Sequence, residues 1–125
     1  MAAAGVAHIP WYSTLFRGDQ LEEALAEIAP VALRYGAKSY HVYRYSDDRY
    51  KFLQTAEFEE KIDFDRYWQG PEFTVWRART QSWWQVPIVP GFTDLIASGS
   101  LIEPGEGHTA RAEADNSMGG EETAS

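Results

Sequence analysis

Residues 38–58 read KSYHVYRYSDDRYKFLQTAEF, two runs of alternating side chains around a polar centre. In the first run Tyr40 and Val42 oppose Ser39, His41, Tyr43 and Tyr45. In the second, from Tyr50 to Phe58, Phe52, Gln54, Ala56 and Phe58 oppose Lys51, Leu53, Thr55 and Glu57. A period of two marks a strand with one face against a core. The Ser46-Asp47-Asp48-Arg49 segment between the runs is longer than the two-residue minimum, so the stretch predicts a β-hairpin with a polar loop.

Working outward, Val6–Phe16 reads as a first strand, with Trp11, Ser13 and Leu15 on one face and Tyr12, Thr14 and Phe16 on the other. Pro10 cannot donate to a ladder and belongs at a strand start, an edge or a bulge. After the Arg17-Gly18 turn, Asp19 with Glu22 three residues on is an N-cap pattern. Leu21, Ala24, Leu25, Ile28, Ala32 and Tyr35 recur at helical spacing, so a first amphipathic helix is expected over 20–35, bent by Pro30 and closed by Gly36.

Beyond the hairpin, Phe64, Tyr67 and Trp68 share a helical face, Gly70-Pro71 breaks it, and Phe73, Trp76, Arg77 and Thr80 continue at i, i+3, i+4 and i+7. Val86–Ile96 reads as a last strand, with Pro87, Pro90 and Gly91 placing it at an edge or a bulge. The order β-α-β-β-α-β is the ferredoxin-like α+β arrangement, an antiparallel sheet with helices on one face. It leaves the other sheet face bare, with Leu53, Val42 or the tyrosines wet in a monomer. A homodimer through that face is the natural completion.

Composition narrows the function classes. The 125 residues carry a net charge of −8, which argues against a nucleic-acid partner. Residues 103–125 hold −5 of it, lack aromatics and read as a disordered acidic tail or a docking segment for a basic partner; residues 1–102, at −3, form the one domain. All 18 aromatic residues lie between Trp11 and Phe92, so rings are expected both in the core and along a cavity or interface. No cysteine is present, which removes thiolate metal sites, cysteine nucleophiles and disulfides. No run is long enough to span a membrane, and neither a secretory signal nor a glycosylation acceptor is recognised, so the cytoplasm is the expected address.

Candidate chemistry is sparse. His41 lies within a strand and can serve as a base toward a phenolic substrate, or simply face solvent or a dimer interface. Trp68, Trp76 and Trp83 can wall a cleft between helices and sheet or complete the core. Arg77 can hold a ligand carboxylate or enolate there, or pair with Glu72 or Asp63. Tyr43 and Tyr12 are candidate donors to a bound oxygen, or packing residues. No histidine–carboxylate motif supports a metal site, no glycine-rich loop supports a nucleotide, and no serine elbow supports hydrolysis.

Three segments resemble the dimeric α/β-barrel superfamily, specifically its antibiotic-biosynthesis-monooxygenase-like domains. They are Asp47-Asp48-Arg49-Tyr50-Lys51-Phe52-Leu53-Gln54, then Glu57-Phe58-Glu59-Glu60, then Phe64-x-x-Tyr67-x-x-Gly70-Pro71-Glu72-Phe73. The likeness covers about residues 6–97. It implies a dimer of ferredoxin-like units and a small cofactor-independent monooxygenase that acts on or binds an aromatic, polyketide-like molecule. A non-catalytic dimeric ligand-binding or structural module is the alternative. Two histidines common in the second helical region of such proteins are replaced by Tyr67 and Glu72. Arg77 stands where haem-degrading members place their ligand, so no haem and no other cofactor is expected.

Overall fold

The alternation in residues 38–58 produces the hairpin it predicts. The computed structural model describes residues 5–101, and in it β2 (Ser39–Arg44) pairs antiparallel with β3 (Lys51–Phe58). The first strand, β1 (Gly5–Tyr12), lies against the other edge of β3, from Gly5 opposite Phe58 to Tyr12 opposite Lys51. A short β4 (Gly91–Asp94) closes the sheet in the order β2-β3-β1-β4. Helices α1 (Gly18–Ile28), α2 (Lys61–Gln69) and α3 (Pro71–Thr80) complete the α+β, ferredoxin-like fold expected from the element order. Residues 1–4 and 102–125 lie outside the described residues, and with them the acidic tail expected over 103–125.

The core follows from the strand period. Ala7, Ile9 and Trp11 on β1 and Phe52, Ala56 and Phe58 on β3 point to the helix side, where Leu21, Leu25, Ile28, Phe64, Tyr67, Phe73 and Trp76 cover them. Trp11 is fully buried, with its ring centroid 5.2–6.3 Å from those of Trp68, Phe73, Trp76 and Trp84. Edge-to-face and tilted contacts of this kind add to plain area burial. A polar chain runs through the same core. Trp11 Nε1 donates to Gln54 Oε1 at 3.1 Å, Gln54 Nε2 to the Tyr67 hydroxyl at 3.0 Å, and that hydroxyl to the Ile28 carbonyl at 2.7 Å.

Several expected boundaries move, each for a local reason. The first strand stops at Tyr12 rather than Phe16, because Arg17 N–H bonds back to Thr14 O and Phe16 turns to φ 67°. Leu15 and Phe16 are consequently exposed. Asp19 does not cap α1: the helix starts at Gly18 after Arg17 without a side-chain cap. Asp19 and Glu22 instead take the Arg44 guanidinium, at 2.9 and 2.8 Å. The helix over 20–35 is α-helical only to Ile28, then 3-10 over Ala29–Tyr35, since Pro30 has no N–H for the α pattern. Gly36 ends it at φ 98°, the left-handed cap expected there.

The last strand is Gly91–Asp94, much shorter than Val86–Ile96, because the preceding prolines supply no ladder N–H. Pro10 lies on β1 where β4 has already ended at His8 and before Ser13 bridges to Trp84. The missing N–H therefore falls in a gap between two ladders. Val42, expected among residues of the bare face, packs against the core from the helix side. At Gly70 α2 gives way to α3 so tightly that a Cβ would meet the Tyr35 hydroxyl and the Arg66 carbonyl.

A candidate anion site on the helix layer, and an open sheet face

Three arginines, Arg17, Arg49 and Arg77, meet no carboxylate among the described residues, and of these Arg77 alone is half-buried. Arg34 meets Glu72, Arg44 meets Asp19 and Glu22, Arg66 meets Asp63, and Arg79 meets Glu27. Both acids expected as partners of Arg77 are thus engaged elsewhere, and Arg77 has no carboxylate among the described residues. Its position on α3, one helical turn after Phe73, brings the guanidinium 4.3 Å from the Trp68 ring centroid and 5.1 Å from that of Phe73. Nη1 donates to the Trp68 carbonyl at 2.7 Å. Nε and Nη2 have no hydrogen-bond acceptor among the described residues. Burial pushes the group below the ordinary arginine value, yet guanidinium remains charged at neutral pH. A desolvated cation on an aromatic wall with an unused donor edge suits a carboxylate or phenolate.

Trp68 is half-buried, stacked on Phe64 at 6.4 Å, and Phe64 in turn stacks on Phe92 at 6.3 Å. Trp76, by contrast, is sealed in the core, 2% exposed, with Nε1 donating to the Ala24 carbonyl at 2.9 Å. Trp83 is partly buried against the core, in the 3-10 turn Gln81–Trp83 that follows α3. Its carbonyl accepts from Thr14 N–H at 2.9 Å.

The remaining candidates lie on the opposite side of the sheet. His41 is exposed on β2 and stacks on Tyr43 at 5.9 Å. Tyr43 is 52% exposed and, with Tyr45, Ser46, Asp47 and Leu53, lines a shallow groove of about 410 Å³ beside the hairpin turn. The Tyr12 hydroxyl, on the same face, donates to Asp48 at 3.3 Å. The sheet therefore brings together His41, Tyr43 and Tyr12 on one face, and Trp68 and Arg77 on the other. It does not bring His41 to Arg77.

The two residues at the positions of the missing histidines are both committed. Tyr67 donates to the Ile28 carbonyl, and burial holds its phenol protonated well above the usual tyrosine value. Glu72 is held below the usual carboxylate range, chiefly because the Tyr35 hydroxyl donates to it. Sequence reasoning did not find that Gln54 and Trp11 would join Tyr67 in one buried network. The inward parity of residues 11 and 54 was the available signal. Among the described residues no group of histidines and carboxylates is spaced to hold a metal ion, and no helix is long and apolar enough to cross a membrane.

Solved structures share this fold. A protein of Nitrosomonas europaea named as an antibiotic biosynthesis monooxygenase superposes with a TM-score of 0.69 at 13% identity, over 77% of this chain and 93% of that one. Protein PA3566 of Pseudomonas aeruginosa gives 0.68 at 12% identity, over 78% and 98%. Protein Rv0793 of Mycobacterium tuberculosis gives 0.66 at 14% identity, over 78% and 100%. No family model matches the chain, and no curated protein matches it either. The chain has the fold of the antibiotic-biosynthesis-monooxygenase-like proteins, as its hairpin and helix break suggested.

Proposed function

We propose that this chain is a cytoplasmic small-ligand-binding protein of that fold, which holds a planar aromatic anion against Arg77 and Trp68 and works as a homodimer closed through its open sheet face. Arg77 carries the reading: it is a half-buried guanidinium, stacked on Trp68, with donors that no described residue uses. A water-exposed arginine has little reason to give up hydration, whereas one already desolvated gains most from an anion. The aromatic ring of the ligand would lie along the exposed part of the half-buried Trp68. The open face supports the dimer, because Leu53, Pro10, Tyr12 and Tyr43 form a continuous half-apolar surface on three adjacent strands.

Oxygenation of the bound aromatic without a cofactor is the second reading, favoured by the likeness to proteins named as antibiotic biosynthesis monooxygenases. That chemistry needs a base to generate the substrate carbanion. His41 lies across the sheet from Arg77, Tyr67 is locked as a donor, and Glu72 is a weakened base, so binding without turnover is the better-supported role. Titrating 1-hydroxy-2-naphthoate while recording tryptophan fluorescence and dissolved O₂ separates the two. Saturable quenching with no O₂ uptake is expected; O₂ uptake that is lost in His41→Ala would instead establish the oxygenase reading.

A further inference from the structure

Indole and phenol rings succeed one another at close range from the Arg77 site to a half-buried tyrosine. Trp68, which carries the Arg77 guanidinium, lies 6.3 Å from Trp11 between ring centroids, and Trp11 lies 5.3 Å from Trp76 and 5.2 Å from Trp84. Two routes lead from Trp11 to Tyr67. The Gln54 amide accepts from Trp11 Nε1 and donates to the Tyr67 hydroxyl, and the Phe73 ring lies 6.3 Å from Trp11 and 4.8 Å from Tyr67. Tyr67 lies 5.9 Å from Tyr35. Tyr35 is half-buried at the end of the 3-10 segment, and its hydroxyl donates to Glu72 Oε1, on a side chain that is 37% exposed.

The hydrogen-bond acceptors distinguish these rings. Trp11, Trp76 and Trp84 donate to an amide oxygen, a backbone carbonyl and a threonine hydroxyl, and Tyr67 donates to the Ile28 carbonyl. Trp68 Nε1 has no acceptor among the described residues. None of these partners is a base, so a ring of this set that loses an electron keeps its proton and remains a strong oxidant. Tyr35 faces a carboxylate instead. The Tyr35 hydroxyl and Arg34 hold Glu72 in its ionised form. Glu72 is a weak base toward a carbon acid, but an oxidised phenol is a far stronger acid than a carboxylic acid. Its proton can therefore cross the existing hydrogen bond without movement of either side chain. Among the described residues one other phenol donates to a carboxylate, Tyr12 to Asp48 at 3.3 Å. Tyr12 lies on the open face of the sheet, away from the core rings, and the Lys51 ammonium 5.9 Å from its ring opposes positive charge there.

We propose that these rings form an electron relay: an oxidising aromatic anion held at Arg77 takes one electron from Trp68, and the vacancy moves through Trp11 and Tyr67 to Tyr35, which passes its proton to Glu72. The relay rests on the ligand site proposed above and adds a redox role to it. One electron leaves Tyr35 and one reaches the ligand. The Tyr35 O–H bond breaks, an O–H bond forms on Glu72 Oε1, and Trp68, Trp11 and Tyr67 end as they began. Tyr67 is a station and not the terminus, because its hydroxyl is buried against a neutral carbonyl. The ligand class is thereby narrowed to planar aromatic anions that accept an electron, such as quinone carboxylates. The relay draws the oxidising equivalent away from the pocket, so that Trp68 and Arg77 are spared modification.

The test uses the full chain with anthraquinone-2-carboxylate, a planar aromatic anion that becomes a one-electron oxidant when illuminated, kept below one equivalent per chain. Transient absorption after a laser flash separates tryptophan radicals from tyrosyl radicals. In the starting chain the tryptophan radical is expected to decay as the tyrosyl radical grows. Tyr35→Phe should abolish the tyrosyl signal and leave the tryptophan radical long-lived. Glu72→Gln keeps a hydrogen-bond acceptor but removes the base, and should slow tyrosyl growth by ~100-fold. Tyr12→Phe should leave the signal unchanged. Circular dichroism and thermal midpoints confirm that the variants fold, and the quinone's affinity in the dark should be the same in all three. A tyrosyl radical that persists in Tyr35→Phe, grows at the starting rate in Glu72→Gln or is lost in Tyr12→Phe overturns the relay. So does tryptophan oxidation with no tyrosyl radical in the starting chain. A quinone that does not bind, or whose binding is undiminished in Arg77→Gln, overturns instead the ligand reading on which the relay rests.

Discussion

Tyr67 illustrates how a residue at a position associated with chemistry becomes structural. Its hydroxyl accepts from Gln54 and donates to the Ile28 carbonyl, so both of its hydrogen-bonding roles are used inside the core. Tyr67→Phe strands Gln54 Nε2 and the Ile28 carbonyl, and should lower unfolding stability by about 1–3 kcal/mol in urea titrations. The same site predicts alkaline sensitivity. Burial raises the Tyr67 pKa in the folded chain, while the unfolded chain releases that proton near pH ~10. Above that pH the folded state binds more protons than the unfolded one, so stability is full below pH ~10 and falls as pH rises. The decline should be shallower in Tyr67→Phe. Ser13 is the converse case: its Oγ is buried with no partner among the described residues. Ser13→Ala should therefore be neutral or stabilising by about 1 kcal/mol in the same titration.

Among the elements, the β1–α1 turn holds the clearest strain. Phe16 adopts φ 67° with its ring 86% exposed, so it accepts a left-handed backbone without compensating burial. Replacing it separates the backbone from the side chain. Phe16→Gly should be more stable than Phe16→Ala by about 1 kcal/mol, measured by thermal or urea unfolding, because only glycine occupies that region without a Cβ clash. The sequence placed this turn two residues late, at Arg17-Gly18: the alternation of Trp11 and Ser13 continues smoothly into Leu15, and nothing in a period of two announces the earlier reversal. The hairpin was legible because residues 51–58 alternate without exception and both strands pack on the same core. The short β4 was harder, since apolar residues on either side of Pro87 and Pro90 mimic a strand whose hydrogen bonds those prolines cannot make. Arg77 was legible as a candidate from its spacing to Phe73 and Trp76. Its lack of an acid was not, because that depends on Tyr35 and Arg34 reaching Glu72 from a distant segment.

For the whole molecule, the sheet acts as a partition. On one side lies the helix layer with its aromatic core and Arg77; on the other lie His41, Tyr43 and the surface proposed to meet a second copy. Leu53→Asp, at the middle of that surface, should shift the chain toward monomer in sedimentation while leaving Arg77 and its ligand affinity unchanged. The central claim is that Arg77, and not His41, anchors an aromatic anion. Calorimetric titration of the full chain with 2-naphthoate tests it most directly. The account predicts one site per chain, an affinity weakened by ~10-fold or more in Arg77→Gln as one charge-assisted contact is lost, and no change in His41→Ala. Binding that survives Arg77→Gln undiminished, or that disappears in His41→Ala, would contradict it.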